Sequence, residues 1–447
     1  MQRTSFYGLR WLPLWLALMP LAVFSTGEAH GSIPQIERQV LPNGLVMIIS
    51  RDQTLPFVTM RFIADAGARN DPHAHAGLAN ITAEGLMLGT TDRTAQQLNE
   101  QIDFLGASLS ISGGFDFASV DFRVLKTKWA EGVDLFMEVI TRPTFPELEL
   151  RRHIRAVQSA LAEEEDQPGR VAEKAFRSAV FQFSPYGHAV EGTIDSLQRI
   201  SPDQVRRFYE RYYGPDKGIL IIVGDIDPEN IKQLTAQLER WERRNRTEQP
   251  REAVFIQSPQ DVKINRPVVQ ANIILGHHGI ARENPDFYAI SVMNQILGGG
   301  GFTSRLMQRI RVEKGLAYSV VSYFEPRKYP GAFQIVLQTQ NATAREAIDI
   351  AREEMRRMQQ ELVSDQELNI AKNYLIGSFP MRYASQRDLV RLLGHIEYYQ
   401  LGLDYFNEYP DRIRRIERKD VLAAAQKYLR PDTAIVAMVA DLKAVGQ

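Results

Sequence analysis

The chain is 447 residues long, 44% apolar and 24% charged, with a formal net charge of −1 and no cysteine. That length exceeds what one hydrophobic core organises, so two or more domains are expected. Near-neutral charge argues against nucleic acid or anionic lipid as a partner, and the lack of cysteine excludes disulfide bracing, thiol catalysis and cysteine-held metal.

In chain order, Arg3 and Arg10 precede the apolar run "WLPLWLALMPLAVF" (11–24) and the small-residue stretch "STGEAHGS". This reads as a signal peptide over 1–29 and points to the periplasm, with an uncleaved anchor as the alternative. No later segment has the length and apolarity of a membrane span. "GLVMIIS" and "FVTMRFIADAG" are β-rich, 77–88 and 94–104 read as helices, and "ASLSISGGFDFASVDFRVL" alternates like a hairpin. A long helical stretch follows from about 127 to 183. In the second half, "VVQANIILGHHG" opens the strands, 284–296 and 303–313 are helical, and "YSVVSYFEPRKYPGAFQIVLQT" is again a hairpin before helices from about 344 to 430.

"SPDQVRRFYERYYGPDKGILIIVGD" (201–225) aligns without gaps on "ERKDVLAAAQKYLRPDTAIVAMVAD" (417–441), each a helix, a Pro-Asp and a buried β-run ending in Asp. The spacing is too long for a solenoid and predicts a duplicated domain. The expected organisation is a first domain over 33–241, a linker over 242–256 and a second domain over 257–447. Each is α+β, a mainly antiparallel sheet with helices packed on one face.

The duplicated halves, "GLVMIIS", "AGARND", "GLA…LMLGT", "PYGHAVEGT" and "GGGGFTSRLMQRIRVEKGLAYSV" together resemble the pitrilysin, insulinase and mitochondrial processing peptidase family of zinc metallopeptidases, the inverzincins. The resemblance covers essentially the whole mature chain and implies two homologous domains arranged as a clamshell. Catalytic members carry His-x-x-Glu-His on the helix after Gly-Leu-Ala. Two His four residues apart share a helix face and grip one Zn²⁺, while the Glu activates water. Here Asn80 stands at the first His, Ala83 at the base and Glu84 at the second His. The third ligand, a Glu in the family, falls on Ala160, both by its spacing from Glu84 and by the register of "EDQP" (165–168). One carboxylate and one amide do not make a zinc site, so no metal is expected in this chain.

Substitute ligands are few. His73 and His75 form an HxH pair that could take a metal on a strand, or are polar residues of a loop after Asp71 and Pro72. His277 and His278 are neighbours at a strand end, face opposite ways and are not expected to ligate jointly. Glu163, Glu164 and Glu165 read as a solvated acidic helix face, and His188 as part of a structural turn.

In the second half, "RIRVEKGLAY" holds Arg311 and Tyr318 across a helix end, with Gly315 placed to stop the helix in a left-handed cap. The resemblance implies that this Arg and Tyr reach the substrate beside the zinc. Taken singly, Arg311 could be a surface cation in a basic helix with Arg305 and Arg309, and Tyr318 a core strand residue. Gly298, Gly299, Gly300 and Gly301 form either a flexible joint or, by the resemblance, a substrate-handling loop; no Gly-Lys-Ser/Thr follows to make a phosphate site. The resemblance thus implies a catalytically silent subunit of a heterodimer, completing the site of a zinc-bearing homologue that hydrolyses peptides. A non-enzymatic peptide-binding or scaffold protein of the same fold, and an autonomous peptidase with relocated ligands, are the alternatives.

Overall fold

The computed structural model describes residues 34–182, 184–244 and 261–445. The expected signal peptide, and the expected linker from 245 onward, lie outside the described residues. The first sheet contains β1 (Glu37–Val40), β2 (Val46–Arg51), β3 (Phe57–Ala64), β4 (Ser108–Gly113), β5 (Ala118–Leu125) and β6 (Gly218–Gly224), in the order β1-β2-β6-β3-β5-β4. The second contains β7 (Val262–Asn265), β8 (Gln270–His278), β9 (Ala317–Phe324), β10 (Ala332–Gln340) and β11 (Ile435–Ala440), in the order β7-β11-β8-β10-β9. Beyond the extra edge strand β1, the two sheets share one plan. A single parallel pair, β2 with β6 or β7 with β11, is followed by antiparallel neighbours.

The repeated segments occupy matching places. Helix Pro202–Tyr212 leads into β6 and helix Arg418–Tyr428 into β11. Every residue of both strands is buried. Strands that are apolar on both faces, as "GILIIVG" and "IVAMVA" are, need cover on both sides.

The expected layer of each half's own helices lies on one face of its sheet, and the other face is covered from elsewhere. Helix Pro168–Val180, from the first half, packs on β8 and β11 of the second sheet, and helix Gln386–Tyr398, from the second half, packs on β3 and β6 of the first. Each sheet is therefore closed by a helix from the opposite half. Both contacts are close because a glycine sits at each. A Cβ at Gly276 would lie 2.8 Å from the Phe176 ring and 2.1 Å from the Phe333 carbonyl oxygen; one at Gly394 would lie 2.6 Å from Ile63. Gly276→Val is expected to lower the urea midpoint of unfolding by the equivalent of about 1–3 kcal/mol, the usual cost of overpacking, with little change in slope.

The histidines of the second half are structural. His277 packs on Phe333, directs Nδ1 to the His278 carbonyl oxygen at 2.8 Å and accepts the Arg430 backbone N–H at Nε2 at 3.1 Å. Its neighbour His278 packs instead on the Phe181 ring. Burial holds both imidazoles down at about 4, and burial beside Arg282 and Arg382 holds His395 at about 3. All three stay neutral when folded, whereas in the unfolded chain they protonate near 6.5. Below that value the unfolded state binds more protons, so stability is complete above about pH 6.5 and drains away towards pH 4. Denaturant midpoints measured from pH 7.5 to 4.5 are expected to fall steadily, each proton difference changing the unfolding constant by about tenfold per pH unit.

Candidate functional site: a metal-site scaffold without ligands, and an arginine between two aromatic rings

The helix Leu78–Gly85 is positioned with care for something that carries no chemistry. Gly77 takes a left-handed φ of 94° just before it. The Asp71 carboxylate accepts the N–H groups of Gly77 at 2.8 Å and Ala79 at 2.7 Å, satisfying donors that a helix start leaves orphaned. Within "PYGHAVEGT" and just beyond it, the turn braces the same point. Ser196 Oγ donates to the Ala76 carbonyl oxygen at 2.7 Å, and Gly192, at φ 80°, lies so close that a Cβ there would be 2.2 Å from that oxygen. His188 belongs to this turn, with Nδ1 2.8 Å from the Ala189 carbonyl oxygen and Nε2 3.9 Å from Asp71.

Of the four positions where the family's ligands and base would stand, only Glu84 carries a metal-ligating group. Asn80 is buried with its side chain pressed against Gly113 at the end of edge strand β4, and Ala83 is fully buried. Glu84 lies with Oε2 2.8 Å from His153 Nε2 on helix Glu147–Glu164. Ala160, on the same helix, has only a methyl group to offer. Zinc needs three good protein ligands and an open position, and the residues present do not fit it. Among the described residues no group of three or more His, Cys, Asp or Glu could hold a metal.

His153 escaped the sequence reading. The signal was available, because it precedes Ala160 by seven residues, two turns back on the same helix face. Of the two readings of the HxH pair, the structure has the loop: His73–His75 is a 3₁₀ turn, not a strand, and His75 Nε2 lies 2.6 Å from Gln204 Nε2. Glu164 pairs with Arg170 at 3.1 Å and Lys174 at 3.2 Å, and Glu165 pairs with Lys174, while Glu163 is exposed.

In the second half, Arg311 and Tyr318 stand side by side. Arg311 lies in a π-helical stretch, Met307–Glu313, and a second π-turn, Gln295–Gly299, runs into the glycine loop. Such turns are rare and concentrate at functional sites. Gly315, at φ 65°, ends the helix in the expected left-handed conformation. Its N–H reaches the Arg311 carbonyl oxygen at 3.0 Å, and the Leu316 N–H reaches that of Ile310 at 2.8 Å. The chain then enters β9 with Tyr318 outward and 81% exposed, which removes the core-residue reading.

The Arg311 guanidinium carbon lies 4.6 Å from the Tyr318 ring centroid and 4.7 Å from that of Phe302, itself 60% exposed. Among the described residues Arg311 has no carboxylate partner. Its neighbours do: Arg305 pairs with Glu367 at 2.7 Å, and Arg309 pairs with Glu313, Glu353 and Glu354. The glycine loop supplies Phe302, which sequence reasoning missed, and it is an ordered turn. The Thr303 and Ser304 hydroxyls donate to the Gly300 and Gly301 carbonyl oxygens at 2.9 and 2.7 Å. Gly298 packs so tightly that a Cβ would lie 2.7 Å from the Ser322 backbone nitrogen, while Gly301 takes φ 56° in open space.

A twice-repeated α+β unit, with a metallopeptidase-like helix that carries no zinc-ligand set among the described residues, defines a metallopeptidase-like protein. Residues 46–194 match the family model for insulinase (peptidase family M16), and 199–375 match that for the peptidase M16 inactive domain. The chain belongs to the peptidase M16 family. It is 28% identical over 93% of its length to an uncharacterized zinc protease of Streptomyces coelicolor, covering 92% of that protein. It is 23% identical over 84% of its length to a protein of Helicobacter pylori named a non-peptidase homolog, covering 87% of that protein. Among solved structures, a peptidase M16 inactive domain from Pseudomonas fluorescens superposes with a TM-score of 0.84 at 28% identity, covering 91% of this chain and 98% of that one.

Proposed function

We propose that this chain is the zinc-free subunit of a periplasmic heterodimeric peptidase, pairing with a zinc-bearing homologue and lending Arg311 and Tyr318 to the peptide bound there. The observation that carries this reading is Arg311 itself. It is an arginine without an acidic partner among the described residues, held in place by Phe302 and Tyr318 on the exposed side of the second half. A guanidinium so placed can donate to a peptide carbonyl or carboxylate, and the Tyr318 hydroxyl can donate to oxygen on which charge develops. The loss of ligands at 80, 84 and 160, and the names of the Helicobacter and Pseudomonas relatives, support the silent half of the proposal. The signal-like first 29 residues support export.

The test is native purification of the tagged chain from its host envelope, with every co-eluting chain identified. A near-stoichiometric homologue carrying intact His-x-x-Glu-His is the expected result. A lone chain or a homodimer would overturn the pairing and leave a binding or scaffold protein.

A further inference from the structure

A second cationic feature lies deeper in the second half and is independent of Arg311. Arg282, only 4% exposed, lines a cavity of about 430 Å³ formed by helix Phe287–Asn294, β9, helix Gln386–Tyr398 and helix Tyr405–Arg415. Its guanidinium stacks 3.8 Å from the Phe287 ring centroid. Nε donates to His395 Nε2 at 3.3 Å, and one terminal nitrogen donates to the Tyr405 hydroxyl at 3.2 Å. The other terminal nitrogen has no hydrogen-bond partner among the described residues. Arg382 also lines the cavity, 3.5 Å from the Tyr409 hydroxyl. No aspartate or glutamate lines the cavity, and neither arginine has a carboxylate partner among the described residues. Buried charges are ordinarily paired, because an unpaired ion in a low-dielectric interior is costly.

The internal repeat shows what is missing. The β3–β5 ladder ends at Ala64 and Ala118, and the β8–β10 ladder ends at His278 and Ala332. In the first half, Arg69 follows the strand end and meets Asp65, one residue past Ala64, and Asp116, two before Ala118. In the second half, Arg282 follows its strand end four residues on rather than five, and the ladder positions that correspond to Asp65 and Asp116 are Gly279 and Pro330. The cation was kept, both anions were dropped, and a cavity walled by Phe287, Phe324, Tyr405 and Tyr409 adjoins it.

We propose that this cavity binds a small organic carboxylate with an apolar or aromatic body, its carboxylate received by Arg282 and Arg382 and its body by the aromatic walls. The volume lies within the range of small-molecule sites, and their usual make-up is apolar walls with a few convergent polar groups. Neutral His395, already accepting from Arg282, adds no competing cation. A planar guanidinium matches a carboxylate in both charge and geometry.

The test is isothermal titration of the purified full chain with N-acetylphenylalanine, its C-terminal amide and inorganic phosphate. Saturable binding of the acid, with the amide at least about tenfold weaker, is the expected result. Arg382→Met, at an exposed position, should weaken the acid about tenfold while leaving the melting temperature unchanged; Arg282→Gln should abolish binding if it folds. Equal binding of acid and amide, binding of phosphate alone, or an Arg382→Met protein that binds the acid as well as the parent would overturn the proposal.

Discussion

Replacing Arg311 by Ala is expected to lower kcat/KM for peptide hydrolysis by the assembled heterodimer about 10²–10³-fold, the usual effect of removing one preorganised donor from a transition-state site. The same substitution should leave the chain's own stability and its assembly untouched. Arg311 has no acidic partner among the described residues to strand, and the rings it separates, Phe302 and Tyr318, are already largely exposed. Arg311→Lys keeps the charge but not the planar fork, and should restore only part of the rate. Tyr318→Phe keeps the ring that positions the arginine and removes only the hydroxyl, so its effect should be smaller than that of Arg311→Ala. Assays on the reconstituted pair, alongside thermal unfolding of the isolated chain, separate these outcomes. Unchanged turnover in the Arg311→Ala heterodimer would reduce this chain to a scaffold for its partner.

Much of this arrangement is legible before any coordinates, and what is not has physical reasons. The duplication shows in the sequence because β6 and β11 are buried on both faces and each follows the same helix and Pro-Asp turn. Those constraints leave little freedom in residue type. The loss of zinc chemistry shows because ligand spacing on a helix is rigid, so Asn80, Ala83 and Glu84 can be read position by position. The exchange of helices Pro168–Val180 and Gln386–Tyr398 is different. Amphipathic spacing shows that a helix face is buried, and says nothing of which sheet it meets. The 3₁₀ turn at His73–His75 was open between strand and loop, since three residues after a proline carry no usable period. Phe302, next to a glycine run, carries no periodic or motif signal of its own. Its role depends on a loop folding back over Arg311, which is a property of tertiary structure alone.

The largest loss of stability is expected from Asp116→Ala, and it bears on why the silent helix has been kept. Asp116 is 3% exposed and accepts three hydrogen bonds: from the Tyr186 hydroxyl at 2.5 Å, the Tyr399 hydroxyl at 2.7 Å and the Lys328 backbone N–H at 2.9 Å. Tyr186 belongs to the first half, Lys328 and Tyr399 to the second. Tyr186 also accepts the Tyr329 N–H at 3.1 Å, and the Tyr398 hydroxyl donates to Asp65 at 2.7 Å, beside the Asp65–Arg69 ion pair. Burial, reinforced by these carboxylates, pushes the Tyr186, Tyr398 and Tyr399 hydroxyls far above their ordinary range, so they remain donors at any physiological pH. Removing the carboxylate takes the acceptor from the buried Tyr186 hydroxyl and from two part-buried donors, the Tyr399 hydroxyl and the Lys328 N–H. The expected cost is about 3–5 kcal/mol, a large part of the ~5–15 kcal/mol that holds a typical folded protein together. Urea unfolding should show the midpoint collapse, and limited proteolysis should cut between the halves. A shift no greater than that of a surface substitution would mean that the network holds nothing. The same segment that supplies Arg69 to this bolt, "AGARND", also supplies Asp71 to the start of helix Leu78–Gly85. The helix could lose its ligands one by one without consequence for folding. It could not move, because the residues that seat it also join the two halves.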